Sequence, residues 1–273
     1  KLSGYITDSS AISAKTMSLL APEDAAQMKT SVDQAKKALY SQIEDQINNP
    51  AVSAKVKEYL DRLVTILIDS SSEGSVEAAV SVTTDPALNA IAVFSLADGA
   101  KVEALAQDLA NEATNAGAPV TVKLMSGKHQ GANLHNISVP LPYNADDKLR
   151  KVLGDDVKIA IATAPKSVYL SVGKNAESSL KTALDANVSN KTAPGVPTRI
   201  RVSMSQILNF VQTIESNPVV DGMLSSLNGG DDMILFDSQI IDRGGVNRIT
   251  IQDGVIKAAA GGARAAMANQ GGF

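Results

Sequence analysis

The chain has 273 residues, 44% of them hydrophobic and 20% charged, which is enough to bury a sizeable core and excludes wholesale disorder. A net charge of -4 and an aromatic content of 3% argue against nucleic acid as a general partner, because phosphate neutralisation and base stacking need concentrated basic and aromatic side chains. The absence of cysteine removes disulfides, thiolate nucleophiles and Cys-based zinc sites together.

In chain order, residues 1–20 predict only a short helix near Ser10–Leu20. Pro22 suits a first helical position, and Glu23 and Asp24 complement the positive end of a helix dipole. Ala25, Met28, Val32, Ala35, Leu39, Ile43 and Ile47 then recur every three or four residues up to Asn48-Asn49-Pro50. Beyond that break Val52, Val56, Leu60, Leu63, Val64 and Leu67 form a second stripe. Two amphipathic helices joined so closely predict an αα-hairpin within an N-terminal segment, residues 1–72. Its stripes are expected to pack on each other or on a following sheet; a partner-binding surface or coiled coil is the functional alternative.

Ser70-Ser71-Ser72-Glu73-Gly74-Ser75 breaks the pattern, and beyond it the apolar period changes from helical to alternating. Residues 73–273 then read four times as strand, turn, strand and helix, with Asp98, Asn144, Asn175 and Asp253 opening the helices. A side-chain oxygen at such a position accepts from N–H groups that the first helical turn leaves unpaired. The first unit pairs Ala78–Thr84 with Leu88–Leu96, turning at Asp85-Pro86, and the second pairs Val120–Ser126 with Leu134–Leu141. The third pairs Val157–Thr163 with Ser167–Val172, and the fourth Met233–Ile241 with Val246–Gln252. A polar loop, Val188–Pro197, a strand at Thr198–Met204 and helical segments through Leu208 and Val219–Leu227 separate the last two units, with a stop at Asn228-Gly229-Gly230. Gly261-Gly262 weakens the last helix, and the Asn269–Phe273 tail frays. The fold expected is α+β: a mainly antiparallel sheet of repeated ββα units with helices on one face, plus the N-terminal hairpin. Strand Leu88–Leu96 is apolar on both alternating faces and so demands cover on both; the Leu60, Leu63 and Leu67 stripe could supply the second layer.

Chemistry is harder to find. His129 and His135 flank one turn and could approach each other across a hairpin, yet no third metal ligand accompanies them. The doublets Asp146-Asp147, Asp155-Asp156 and Asp231-Asp232 lack the spacing of a calcium loop and read as caps and solvated turns. Arg199 and Arg201 alternate along a strand, on one solvated face. Ser171-Val172-Gly173-Lys174 matches S-x-x-K, but its serine falls in a strand, and Lys191-Thr192-Ala193 only echoes K-T-G. Accordingly no catalytic, cofactor-binding or metal-ligating residue is assigned, and no cofactor is expected.

Three strand-to-helix passages carry a resemblance. They are Ile91–Leu96 before Asp98-Gly99-Ala100-Lys101-Val102-Glu103-Ala104-Leu105, Ser167–Gly173 before Ser178-Ser179-Leu180, and Asn247–Ile251 before Asp253-Gly254-Val255-Ile256-Lys257-Ala258. Over residues 75–268 the chain resembles exported, planctomycete-type bacterial proteins of unknown function. The resemblance implies an extracytoplasmic place, periplasmic or secreted, and supplies no catalytic residues. The chain begins Lys1-Leu2-Ser3-Gly4, and the expectation is that a signal or anchor has been removed; no stretch approaches the length of a membrane span. The functional expectation is a non-enzymatic binding or structural module of the bacterial cell envelope, with a protein or an apolar small molecule as partner. The alternatives are a carrier that holds a lipid or other apolar ligand between sheet and helices, and a hydrolase with a dispersed site.

Overall fold

Ile12–Leu19 is a strand, β1, rather than the short helix expected there. In the computed structural model, which describes residues 2–19, 22–47, 49–71, 75–85, 87–115, 117, 119–189, 197–227 and 231–270, β1 lies in the middle of the sheet. Its local composition tolerates a helix. Its neighbours decide otherwise, since β2 (Ser75–Thr83) pairs with it from Ile12 to Leu19 and β8 (Thr198–Ser203) pairs from Ile12 to Thr16. The division at residues 72 and 73 therefore does not separate the strands. Ser72-Glu73-Gly74, Pro86, residues 190–196, Asn228-Gly229-Gly230 and residues 271–273 lie outside the described residues.

The N-terminal helical pair is α1 (Pro22–Gln46) and α2 (Pro50–Ser71), and the Asn49 side chain caps α2 by accepting from the Ala51 N–H at 3.0 Å. Four hairpin-and-helix units follow the expected plan. They are β2 and β3 (Asn89–Ser95) with α3 (Gly99–Asn115); β4 (Thr121–His129) and β5 (Ala132–Pro140) with α4 (Asp147–Leu153); β6 (Asp156–Ala164) and β7 (Ser167–Gly173) with α5 (Ala176–Ser189); and β9 (Met233–Ile241) and β10 (Gly244–Ile251) with α8 (Asp253–Gln270). Strand β8 with α6 (Met204–Ile214) and α7 (Pro218–Leu227) separates the last two. The ten strands run β10-β9-β8-β1-β2-β3-β7-β6-β5-β4, every neighbour antiparallel.

The helix openings are mostly as read. Asp98 accepts from the Ala100 N–H at 2.9 Å, Asn175 immediately precedes α5, and Asp253 is the first residue of α8. Asn144 is the exception: α4 opens two residues later, where the Asp146 carboxylate accepts from the Lys148 N–H at 2.7 Å. Gly261 does not interrupt α8. A Cβ there would come within 2.3 Å of the Gly222 carbonyl oxygen, so its lack of a side chain lets α8 lie close against α7.

The main core forms on one face of the sheet, where Val93, Ala132, Leu134, Ala160, Ala162 and Tyr169 meet Leu180, Ala183 and Leu184 of α5. Tyr5, with Leu2 and Ile6 beside it, closes the same layer, and its hydroxyl donates to the Ile91 carbonyl at 3.4 Å. A second cluster lies on the opposite face. Val168, the strand neighbour of Tyr169, packs against Ile66 of α2, Leu96, and Val102 and Leu105 of α3. Adjacent strand residues point to opposite sides, so α3 with α2 and α5 cover different faces. Apolar side chains on both faces of β7 call for this arrangement. The hairpin seats through Tyr59 and Ile66, with ion pairs Arg62–Asp108 at 2.6 Å and Lys101–Asp69 at 2.8 Å. The expected stripe is not the seat: Leu63 and Leu67 remain 39% and 37% exposed. A third cluster, Leu208, Val220, Leu227 and Ala258, joins α6, α7 and α8.

Candidate functional site

The strand register builds an apolar surface on the face opposite α5. Reading across the sheet, Ile251, Ile234, Val202, Ile12, Val82, Ala90, Val172, Ile159, Ile137 and Val122 stand side by side, one from each strand. The adjacent row runs Ile249, Phe236, Ile200, Ala14, Val80, Ala92, Leu170 and Ile161 before meeting His135. Every member is apolar before His135, and none of these apolar residues is buried. Ile12 and Ile200 are each 39% exposed, and Ile249 reaches 69%. A patch of this extent is unusual on a soluble surface that binds nothing. A groove of about 320 Å³ lies on it, lined by Ala14, Lys15, Thr16, Ala78, Ala79, Val80, Phe94, Thr198 and Ile200. No helix residue lines it among the described residues, so this apolar site lies on the sheet and not between sheet and helices.

The third row is polar at one end and apolar at the other. Asn247, Ser238, Thr198 and Thr16 stand abreast, and the Thr16 and Thr198 hydroxyls hydrogen-bond at 3.0 Å. Ala78, Phe94 and Val168 continue it. The face thus offers two apolar lanes bordered by hydroxyl and amide groups, with no charge in any of the three rows from β10 to β7.

The histidines separate. His129 shares the α5 face with Ala132, and its Nε2 lies 2.9 Å from the Asp185 carboxylate. His135, three residues past Ala132, points to the other face and is fully buried. The two rings cannot share an ion. His135 instead supports an irregular stretch of β4. The register shifts between Lys123 and Gly127, Met125 has a φ of 50°, and its N–H donates to His135 Nδ1 at 3.4 Å. That leaves the proton on Nε2, which donates to the Thr163 hydroxyl at 3.1 Å; Thr163 in turn donates to the Glu103 carboxylate at 2.7 Å. Burial holds His135 below the ordinary histidine value, with Glu103 opposing. Hydrogen bonds from Asn133 and Thr163 hold Glu103 below the usual carboxylate range. The chain of groups is satisfied and closed, which is structural chemistry.

Several of the remaining sequence candidates find local partners, whereas the buried Ser171 hydroxyl has none among the described residues. Asp155 pairs with Arg150 at 3.2 Å. Partial burial would raise the Asp232 carboxyl, but hydrogen bonds from Ser205 and Ser203 hold it low. Arg199 and Arg201 do share a face, pairing with Asp237 at 2.6 Å and Asp8 at 2.5 Å. Ser171 is fully buried, whereas the Lys174 ammonium donates to the Lys151 carbonyl at 2.7 Å, so S-x-x-K assembles nothing. Lys191-Thr192-Ala193 lies outside the described residues. A cleft of about 520 Å³ sits on the α5 face, where Lys123 and Lys158 join Glu177, itself held low by Lys181. No group of three or more metal-ligating side chains occurs among the described residues, and no described helix is long and apolar enough to cross a membrane. Strand-by-strand alternation was the available signal for the apolar face, but the pairing that aligns its rows links residues far apart in sequence. Comparison with known proteins finds no matching family model, curated protein or solved structure.

Proposed function

We propose that this chain is a non-enzymatic binding module that holds an amphiphile, hydrocarbon chain and uncharged polar head, against the open face of its sheet. The observation that carries the reading is the pair of cross-strand rows, apolar throughout until His135 and nowhere buried. At about 4.8 Å per strand, the second row extends for roughly 35 Å, more than the ~15 Å depth of one membrane leaflet's hydrocarbon. Thr16, Thr198, Ser238 and Asn247 border the lanes with donors and acceptors that suit a hydroxyl or ester head. This is the carrier reading with its site moved from the helix layer to the sheet. An envelope location, proposed with it on the strength of the sequence resemblance, would put the module near such ligands. A protein partner is the second reading, supported by the apolar residues left on the hairpin, among them Leu39, Val52 and Val56 at 44%, 48% and 37% exposure.

Titration with a pyrene-labelled monoacylglycerol tests the proposal. Wild-type protein should bind saturably, and Ile200→Lys should weaken binding at least about tenfold by placing a charge in the lane. Lys158→Ala, on the other face, should bind as wild type. Equal binding by wild type and Ile200→Lys, or no binding by wild type, refutes the reading.

A further inference from the structure

The two edges of the sheet are built differently. β4 is blunted: its register shifts between Lys123 and Gly127, Met125 takes a left-handed conformation, and Lys123 and Lys128 stand along it. Bulges and lysines are the usual devices that keep an edge from pairing with another strand. β10 has neither. It pairs in unbroken register with β9 from Gly244 to Ile251, and its residues are exposed along the whole strand. The outer side of β10 has no neighbour among the described residues.

The hairpin fixes which groups face outward. Ile241 and Gly244 pair across the two-residue turn Asp242-Arg243, making them a hydrogen-bonded pair. Alternation then directs the N–H and C=O groups of Gly245, Asn247, Ile249 and Ile251 away from β9. Of these, Asn247, Ile249 and Ile251 also carry side chains of the open face, so a strand added here would extend that face.

We propose that two copies of this chain join edge to edge through antiparallel β10 strands, making one continuous sheet across a two-fold axis. The register that fits is centred on Ile249. It sets Ile249 against its own copy as a hydrogen-bonded pair, Asn247 against Ile251, and Arg248 against Thr250. The register centred on Arg248 would place two guanidinium groups directly opposite one another, which is disfavoured. In the Ile249 register the second apolar row passes unbroken from one copy to the next. The partner is a second copy because this edge is complementary to itself in hydrogen bonding and sets Ile249 on Ile249 with no like charges opposed. The inference does not depend on amphiphile binding.

Sedimentation of the whole chain tests it, together with a cross-link that the absence of native cysteine makes unambiguous. Mass should double as concentration rises, and Asn247→Pro, which removes an outward N–H, should abolish the doubling while leaving thermal unfolding nearly unchanged. Ile249→Cys should oxidise to a disulfide dimer, since Cα atoms of a hydrogen-bonded antiparallel pair lie about 5.5 Å apart, within disulfide reach. Val246→Cys, which faces the other side and sits opposite Gln252, should not. A monomer at every concentration overturns the proposal. So does a dimer in which Ile249→Cys fails to cross-link, or cross-links no better than Val246→Cys.

Discussion

The two faces of the sheet are made from the same strands, yet the more polar one is covered by α5 over β3, β7 and β6, while the more apolar one lies largely open. On β3, Val93 is fully buried beneath the α5 layer, while Phe94, the next residue, is 37% exposed. Leu180 and Tyr5 cover one side; on the other, α2 and α3 cover Leu96 and Val168, and Glu103 of α3 accepts from Asn133 and Thr163. Alternating hydrophobicity states that a strand face is apolar, not that anything lies on it. The α5-covered face supplies stability, and the open face is the one proposed to bind.

That division can be broken first by truncation on each side. Leu180→Ala should cost about 3 kcal/mol, because it leaves a cavity in a filled layer. Ile200→Ala should cost under about 0.5 kcal/mol, as for other partly exposed surface sites. Chemical denaturation reads both, and similar losses at the two positions would mean that the open face is covered in solution.

Second, the hairpin can be excised without touching the sheet. Leu19 pairs with Ser75, so an Asn-Gly turn can replace residues 20–74 and join β1 directly to β2. The shortened chain should fold cooperatively, with stability reduced by roughly 2 kcal/mol through loss of the Ile66 seat. Its amphiphile affinity should be unchanged. A lost affinity would assign the site to the hairpin and sheet together.

The smallest effect concerns pH. Burial lowers the His135 pKa, so the unfolded chain takes up this proton first as pH falls. Its contribution to stability is full above the unfolded value of about 6.5 and is lost as pH drops below it. Glu103, depressed by hydrogen bonds from Asn133 and Thr163, adds a further loss below about pH 4.3, its ordinary value. Thermal midpoints should therefore decline from about pH 7 to about pH 5, and His135→Gln should flatten that limb. An equal slope in the variant would show that another group titrates.

How much of this was legible in the sequence depends on how local the cause is. The helical pair and the four hairpin units follow from periodicity and turn residues within short windows. Strand β1 does not, because Ser13-Ala14-Lys15-Thr16-Met17 accepts either period and its state is set by β2 and β8, far along the chain. The cap at Asp146 was displaced from Asn144 because both residue types serve that role and lie two positions apart. The apolar rows were legible one strand at a time, but not their alignment, which rests on register. The openness of the face was not legible, since Leu63 and Leu67 could have covered it and are turned elsewhere.

The most direct test uses the absence of tryptophan in the chain. Phe94→Trp places a single reporter beside the groove on the open face. Its emission should be that of a solvent-exposed indole in the free protein, then shift to the blue and be quenched on addition of a bromine-labelled monoacylglycerol. Unlabelled monoacylglycerol should reverse the quenching. An emission already characteristic of a buried indole, and insensitive to the brominated chain, would contradict the open, amphiphile-binding face.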